Sequence, residues 1–244
     1  MSTSSSGEKR TLAWRFLAFF VVGFLRAVSK YDMRHVERIP KGAFVFAPNH
    51  YSNVDPLISA YVLWKNRRIP RFLVKASLFK VPLFGAILRA TGQIPVQRTG
   101  GGRGSLEAAG KLAHEGLAVV IYPEGTLTRD PELWPMRGKT GAVRAALVND
   151  VPLIPMAQWG AQRILPRYSK RISLFPRKQI TVLIGDPVDL SPWKGKPIDS
   201  TVLSEATDAL MQDITHLLEE LRGEKAPAER WDPTDHGQAE IGKF

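Results

Sequence analysis

The fold class this sequence predicts is a single α/β domain, with a largely parallel central sheet flanked by helices and an amphipathic helix ahead of it. Two observations carry the expectation. Short apolar, partly β-branched runs alternate with helical stretches from Ile39 onward, the pattern of buried strands and the helices that cover them. Leu203, Ala206, Leu210, Ile214, Leu217 and Leu221 then recur at the spacing of one helix face, as expected of a long helix packed on a sheet. At 244 residues the chain can bury one sizeable core, and it holds no internal repeat.

Taken in order, Met1 to Arg10 is Ser-rich and polar, the composition of a disordered start. Phe16 to Leu25 is uncharged and phenylalanine-rich, with Lys9, Arg10 and Arg15 before it and Arg26 and Lys30 after it. Ten residues are too few to span a bilayer, and Ala27-Val28-Ser29 is a poor cleavage site for a signal peptide. An aromatic helix with basic flanks suits a membrane interface, rings in the acyl boundary and cations at lipid phosphate; a buried core helix is the competing reading. Residues 1–30 are therefore set apart as a disordered start and membrane-anchoring helix.

Residues 31–222 form the predicted catalytic-size domain. Its expected strands are Ala43 to Ala47, Arg71 to Lys75, Gln93 to Val96, Leu117 to Tyr122, Leu153 to Ala157 and Gln179 to Ile184. Its expected helices are Pro56 to Lys65, Pro82 to Thr91, Ser105 to Glu115, Gly141 to Val148 and residues 199–222. Residues 223–244 are polar, acidic and proline-containing, which predicts a mobile tail.

The net charge is +11 and uneven: residues 1–100 carry 16 Lys and Arg against 4 Asp and Glu, and residues 201–244 carry 4 against 10. A basic amino-terminal half attracts anionic lipid or nucleic acid, and the apolar basic-flanked run favours lipid. With no cysteine there is no disulfide, thiolate metal site or cysteine nucleophile. Gly138-Lys139-Thr140 resembles the end of a phosphate loop, but Leu133 stands where its first glycine belongs. Gly100-Gly101-Gly102 lacks dinucleotide spacing, no Gly-x-Ser-x-Gly elbow occurs, and no histidines stand at metal spacing.

The chemistry centres on Asn49-His50, with Asp55 five residues on, just beyond the first strand of the domain. Ligands in open α/β sheets sit beyond the carboxyl ends of strands, which places His50 and Glu124 in one crevice. A histidine oriented by a carboxylate is a general base near neutral pH. Asp55-Pro56 is also a good helix start, with the carboxylate as cap and proline in the first turn.

Three further segments follow in order: Gly92-Gln-Ile-Pro-Val-Gln-Arg98, Tyr122-Pro-Glu-Gly-Thr126 and Val151-Pro-Leu-Ile-Pro155. With the His50 segment they resemble the four motifs of the glycerolipid acyltransferases, specifically the bacterial PlsC-like 1-acylglycerol-3-phosphate acyltransferases, over about Ile39 to Leu190. The resemblance implies transfer of a fatty acyl group from acyl-CoA or acyl carrier protein to the sn-2 hydroxyl of 1-acylglycerol 3-phosphate, giving phosphatidate. No metal and no cofactor beyond the donor is implied. His50 would be the base and Asp55 its orienter, and Arg98, Glu124, Gly125 and Thr126 would hold the glycerol phosphate. Glu124 cannot favour a phosphate by charge, so it either accepts from glycerol hydroxyls or pins its loop. Lys75, at a strand end, is a further cation for this pocket, on a looser match. Pro152 and Pro155 fall on the donor-side motif. The place implied is the cytoplasmic face of the cell membrane, held peripherally or monotopically.

One position departs from the family pattern: Leu127 follows Glu-Gly-Thr where arginine is usual, and the nearest cation is Arg129. Either Arg129 substitutes, or the acceptor is another lysophospholipid or a glycolipid. A basic, non-catalytic nucleic-acid-binding module is the rival from another class, and predicts salt-dependent binding without thiol release.

Overall fold

The computed structural model describes residues 12–96 and 116–239. Helix α1 (Leu12–Val28) leads into strand β1 (Ser29–Arg34). Then come β2 (Phe44–Pro48), α2 (Asp55–Lys65), β3 (Pro70–Lys75), α3 (Phe84–Ala90) and β4 (Ile94–Val96). After the undescribed stretch follow β5 (Ala118–Val120), α4 (Gly141–Asn149), β6 (Leu153–Trp159), β7 (Lys178–Ile184) and α5 (Ser200–Arg222). The expected helix at Ser105 to Glu115 lies outside the described residues.

The seven strands form one sheet in the order β1-β7-β6-β2-β5-β3-β4, and every pairing is parallel except β6 with β7. Its central strands β5, β2 and β6 are buried on both faces, as the middle of a largely parallel sheet requires. Along β2, Val45 and Ala47 pack with Ala142 and Ala145 of α4 and Leu210 of α5, whereas Phe44 and Phe46 pack with Ile58 and Val62 of α2. All four β2 side chains are fully enclosed, so the strand end that carries His50 is anchored from both sides.

Helix α5 forms where the periodicity placed it. Asp199 caps its start, the carboxylate accepting from the Val202 amide at 2.9 Å, and Gly223 ends it at φ +67°. Strand β1 is the element the sequence does not suggest. Ser29-Lys-Tyr-Asp-Met-Arg34 is polar and lies at the sheet edge on β7, half exposed, so it carries no apolar run to read.

The carboxy-terminal segment is a second difference: through residue 239 it lies folded on the domain instead of trailing as a mobile tail. The Ala226 amide donates to the Glu219 carboxylate at 2.9 Å, Arg230 pairs with Asp208 at 3.1 Å, and the Trp231 carbonyl accepts from the Arg137 amide at 2.9 Å. The Trp231 ring stacks on His236 with centroids 3.5 Å apart, and Pro233 is buried. Polar composition hid a few strong anchors, one indole among them.

Candidate active site

Adjacent parallel strands β2, β5 and β3 end along one edge of the sheet, so His50, the Tyr122-Pro123-Glu124 segment and Lys75 are delivered to the same crevice. Asn49 fixes the exit from β2. Its side chain donates to the Gln158 carbonyl at 3.2 Å and accepts from the Gln158 amide at 2.9 Å, extending the ladder to β6 by one side-chain rung.

Beyond it the chain wraps around the Asp55 carboxylate. A single oxygen, Oδ2, lies 2.9 Å from His50 Nδ1 and accepts from the amides of Tyr51 at 2.7 Å and Ser52 at 2.8 Å. Asp55 is fully buried, and burial raises its pKa while these three donors oppose the rise. It is the first residue of α2 but caps nothing, since the N-cap is Val54 and has no side-chain bond. The carboxylate is turned back onto the histidine loop.

Glu124 holds the same loop from the β5 side. Its Oε1 accepts from the His50 amide at 2.8 Å and its Oε2 from the Met136 amide at 3.2 Å. The His50 carbonyl in turn accepts from the Thr128 amide at 2.6 Å. Burial pushes the Glu124 pKa up to about 8. Of the two roles open to Glu124, the geometry carries loop pinning: both oxygens are taken by backbone amides and the residue is fully enclosed.

His50 remains partly open, its side chain 16% exposed, and its ring lies against Tyr122 with centroids 4.1 Å apart. Both line a cleft of about 640 Å³ whose far walls are apolar, from Trp14 and Val21 of α1 to Leu88 of α3. Gly125 also lines it, at φ +70°; a Cβ there would come within 3.1 Å of the Lys139 side chain, so the backbone runs bare under that lysine.

A family model for acyltransferases matches residues 30–159. The chain belongs to the acyltransferase family. Among its relatives, the 1-acyl-sn-glycerol-3-phosphate acyltransferase of Bacillus subtilis (strain 168) is 32% identical over 146 residues, 60% of this chain and 67% of that one. The chloroplastic 1-acyl-sn-glycerol-3-phosphate acyltransferase BAT2 of Brassica napus is 28% identical over 163 residues, 65% of this chain. That match spans less than half of the plant protein's own length, 45%. The crystal structure of the LPA acyltransferase PlsC from Thermotoga maritima superposes with a TM-score of 0.65 over 90% of this chain and 86% of that one, at 20% identity, a shared fold.

In this chain the cleft wall carries His50, Gly125 and Lys75, the last exposed at the end of β3, with Asp55 and Glu124 enclosed behind the His50 loop. Thr126 is half-buried on the same loop but is not part of the wall. Arg98 lies outside the described residues. Leu127 is buried, and Arg129, the candidate substitute for the missing arginine, is only 1% exposed and does not line the cleft. Sequence reasoning passed over two residues. Tyr122 stood inside a quoted motif without a role, and Lys139 was weighed only as part of a failed phosphate loop. Among the described residues, Lys75 and Lys139 are the cations on the cleft wall. No spacing rule links Lys139 to Gly125; only the fold brings them together.

Among the described residues no group of three or more His, Asp or Glu side chains could hold a metal ion, and no helix is long and apolar enough to cross a membrane.

Proposed function

We propose that this chain transfers a fatty acyl group from a thioester, acyl-CoA or acyl carrier protein, to the sn-2 hydroxyl of 1-acylglycerol 3-phosphate, releasing phosphatidate. The observation that carries the reading is the enclosed Asp55 carboxylate on His50 Nδ1. An ionised Asp55 holds the proton on Nδ1 and leaves the Nε2 lone pair for the substrate. Nε2 takes the proton as the acceptor oxygen bonds to the thioester carbonyl carbon. Collapse of the tetrahedral intermediate breaks the C–S bond, and the imidazolium returns the proton to the leaving thiolate. A thioester is already activated, so the step needs no cofactor beyond the donor.

The apolar walls of the cleft suit an acyl chain, and Lys75 and Lys139 suit an anionic head group over a neutral glycolipid. Helix α1 favours a membrane surface as the place of action. It packs Trp14, Leu25 and Val28 inward while leaving Phe16, Phe19, Phe20 and Phe24 between 46% and 75% exposed, with Arg15 and Arg26 beside them. Thiol release from acyl-CoA with lysophosphatidate, other lysophospholipids and a glycolipid offered in parallel tests the reading. Release that depends on lysophosphatidate is expected; release with the glycolipid alone moves the acceptor, and none with any lipid overturns acyl transfer.

A further inference from the structure

A cleft that receives a lipid chain needs an entrance, and its outer walls are α1 and the corner leading from β3 into α3. The corner turns at Leu83. Its φ of 60° and ψ of −55°, with the Phe84 amide donating to the Pro82 carbonyl at 2.6 Å, form a γ-turn of the rarer, strained sense. A leucine is a poor choice there on conformational grounds, and it is not covered either: Leu83 is 78% exposed, Val81 44% and Phe84 46%.

The corner is nevertheless firmly built. The Gly85 amide donates to the Val81 carbonyl at 2.7 Å and the Arg89 guanidinium to the Phe79 carbonyl at 2.6 Å. Gly85 sits so close to Phe79 that a Cβ would meet its carbonyl oxygen at 2.2 Å. An apolar tip is thus presented on a fixed base. Around it the charge has one sign: no Asp or Glu occurs from Pro56 to Leu106, and Lys75, Lys80 and Arg89 are exposed.

The geometry points to this corner as a second membrane contact, with the cleft opening between it and α1 so that a lipid's acyl chain enters sideways from one leaflet of an anionic bilayer. Leu83 and Val81 dip into the acyl boundary while Lys80 and Arg89 meet head-group phosphates. Phe84 belongs to both surfaces, exposed outward and lining the same cleft as His50. Only the use made of this entrance rests on the acyl-transfer reading; the contact itself does not.

Leu83→Gly isolates the side chain, because glycine takes positive φ freely and the fold should be as stable or more so. With the full chain and phosphatidylcholine vesicles containing phosphatidylglycerol, partitioning in flotation should fall about tenfold, as expected for one leucine kept out of an apolar phase. Transfer to lysophosphatidate presented in those vesicles should fall in step, while transfer to a short-chain, monomeric lysophosphatidate is unchanged. In Leu83→Trp, lipids brominated on the acyl chain should quench the new indole. Partitioning equal to the parent, or no quenching above that of the parent, overturns the contact. If acyl transfer is itself the wrong reading, neither chain turns over, yet the flotation difference persists.

Discussion

The histidine loop and the outer wall of the cleft are held by opposite kinds of force. Around His50, one buried carboxylate oxygen gathers three N–H groups and a second carboxylate ties the backbone to the neighbouring strand, every distance between 2.6 and 3.2 Å. At α1 and the Leu83 corner the outward surface is apolar and exposed, shaped for contact that has no direction. On the proposed reading the His50 nitrogen must be aimed, and hydrogen bonds aim; an acyl chain must slide, and apolar walls permit sliding. Damage to the first region should lower turnover, and damage to the second should weaken capture of lipid.

The largest expected effect breaks the aimed side. His50→Ala should lower turnover about 100- to 10,000-fold while flotation with vesicles stays unchanged. Asp55→Asn should approach the same loss, since an amide can hold His50 in the wrong tautomer and supports no imidazolium. Because this side chain also organises the Tyr51 and Ser52 amides, its thermal midpoint should fall as well, unlike that of a mere helix cap. Near-normal transfer in Asp55→Asn would show the dyad to be dispensable.

Lys139→Ala sharpens the comparison from the cleft wall. Loss of a charge-assisted contact to the acceptor phosphate should raise the acceptor KM about tenfold and leave the donor KM in place. Equal movement of both constants would remove Lys139 from acceptor recognition. The smallest effect concerns stability. The folded Glu124 pKa of about 8 stands above its ordinary 4.5, so the folded chain binds this proton more tightly than the unfolded one. That contribution is complete below pH 4.5 and is lost as pH rises toward 8. Glu124→Gln, a neutral isostere, should flatten this part of the thermal-midpoint curve, and an unchanged slope would show that Glu124 is ionised throughout.

The legible parts of the chain were those with a strong period or a paired motif. All six expected strands lie within a few residues of β2 to β7, because each carries a short apolar run. The His50 and Asp55 pair was visible because it is local in sequence. Strand β1 was not, since an edge strand needs only backbone pairing on one side. Nor was Lys139, whose place beside Gly125 depends on a contact between chain segments 14 residues apart. Arg129, one of the two readings offered for the missing arginine, lies inside the protein at 1% exposure, and nothing in the local sequence marks an arginine for burial.

The carboxy-terminal segment matters for anyone who shortens this chain. It ends up one residue away from the supports of the His50 loop: Trp231 accepts from the Arg137 amide, the preceding Met136 amide donates to Glu124, and Glu124 accepts from the amide of His50. A stop codon placed after Arg222, where helix α5 ends and trimming would look harmless, deletes the outermost link of that relay. The product would keep its sheet, its long helix and all four motifs, and would be expected to purify as a folded protein with a slack histidine.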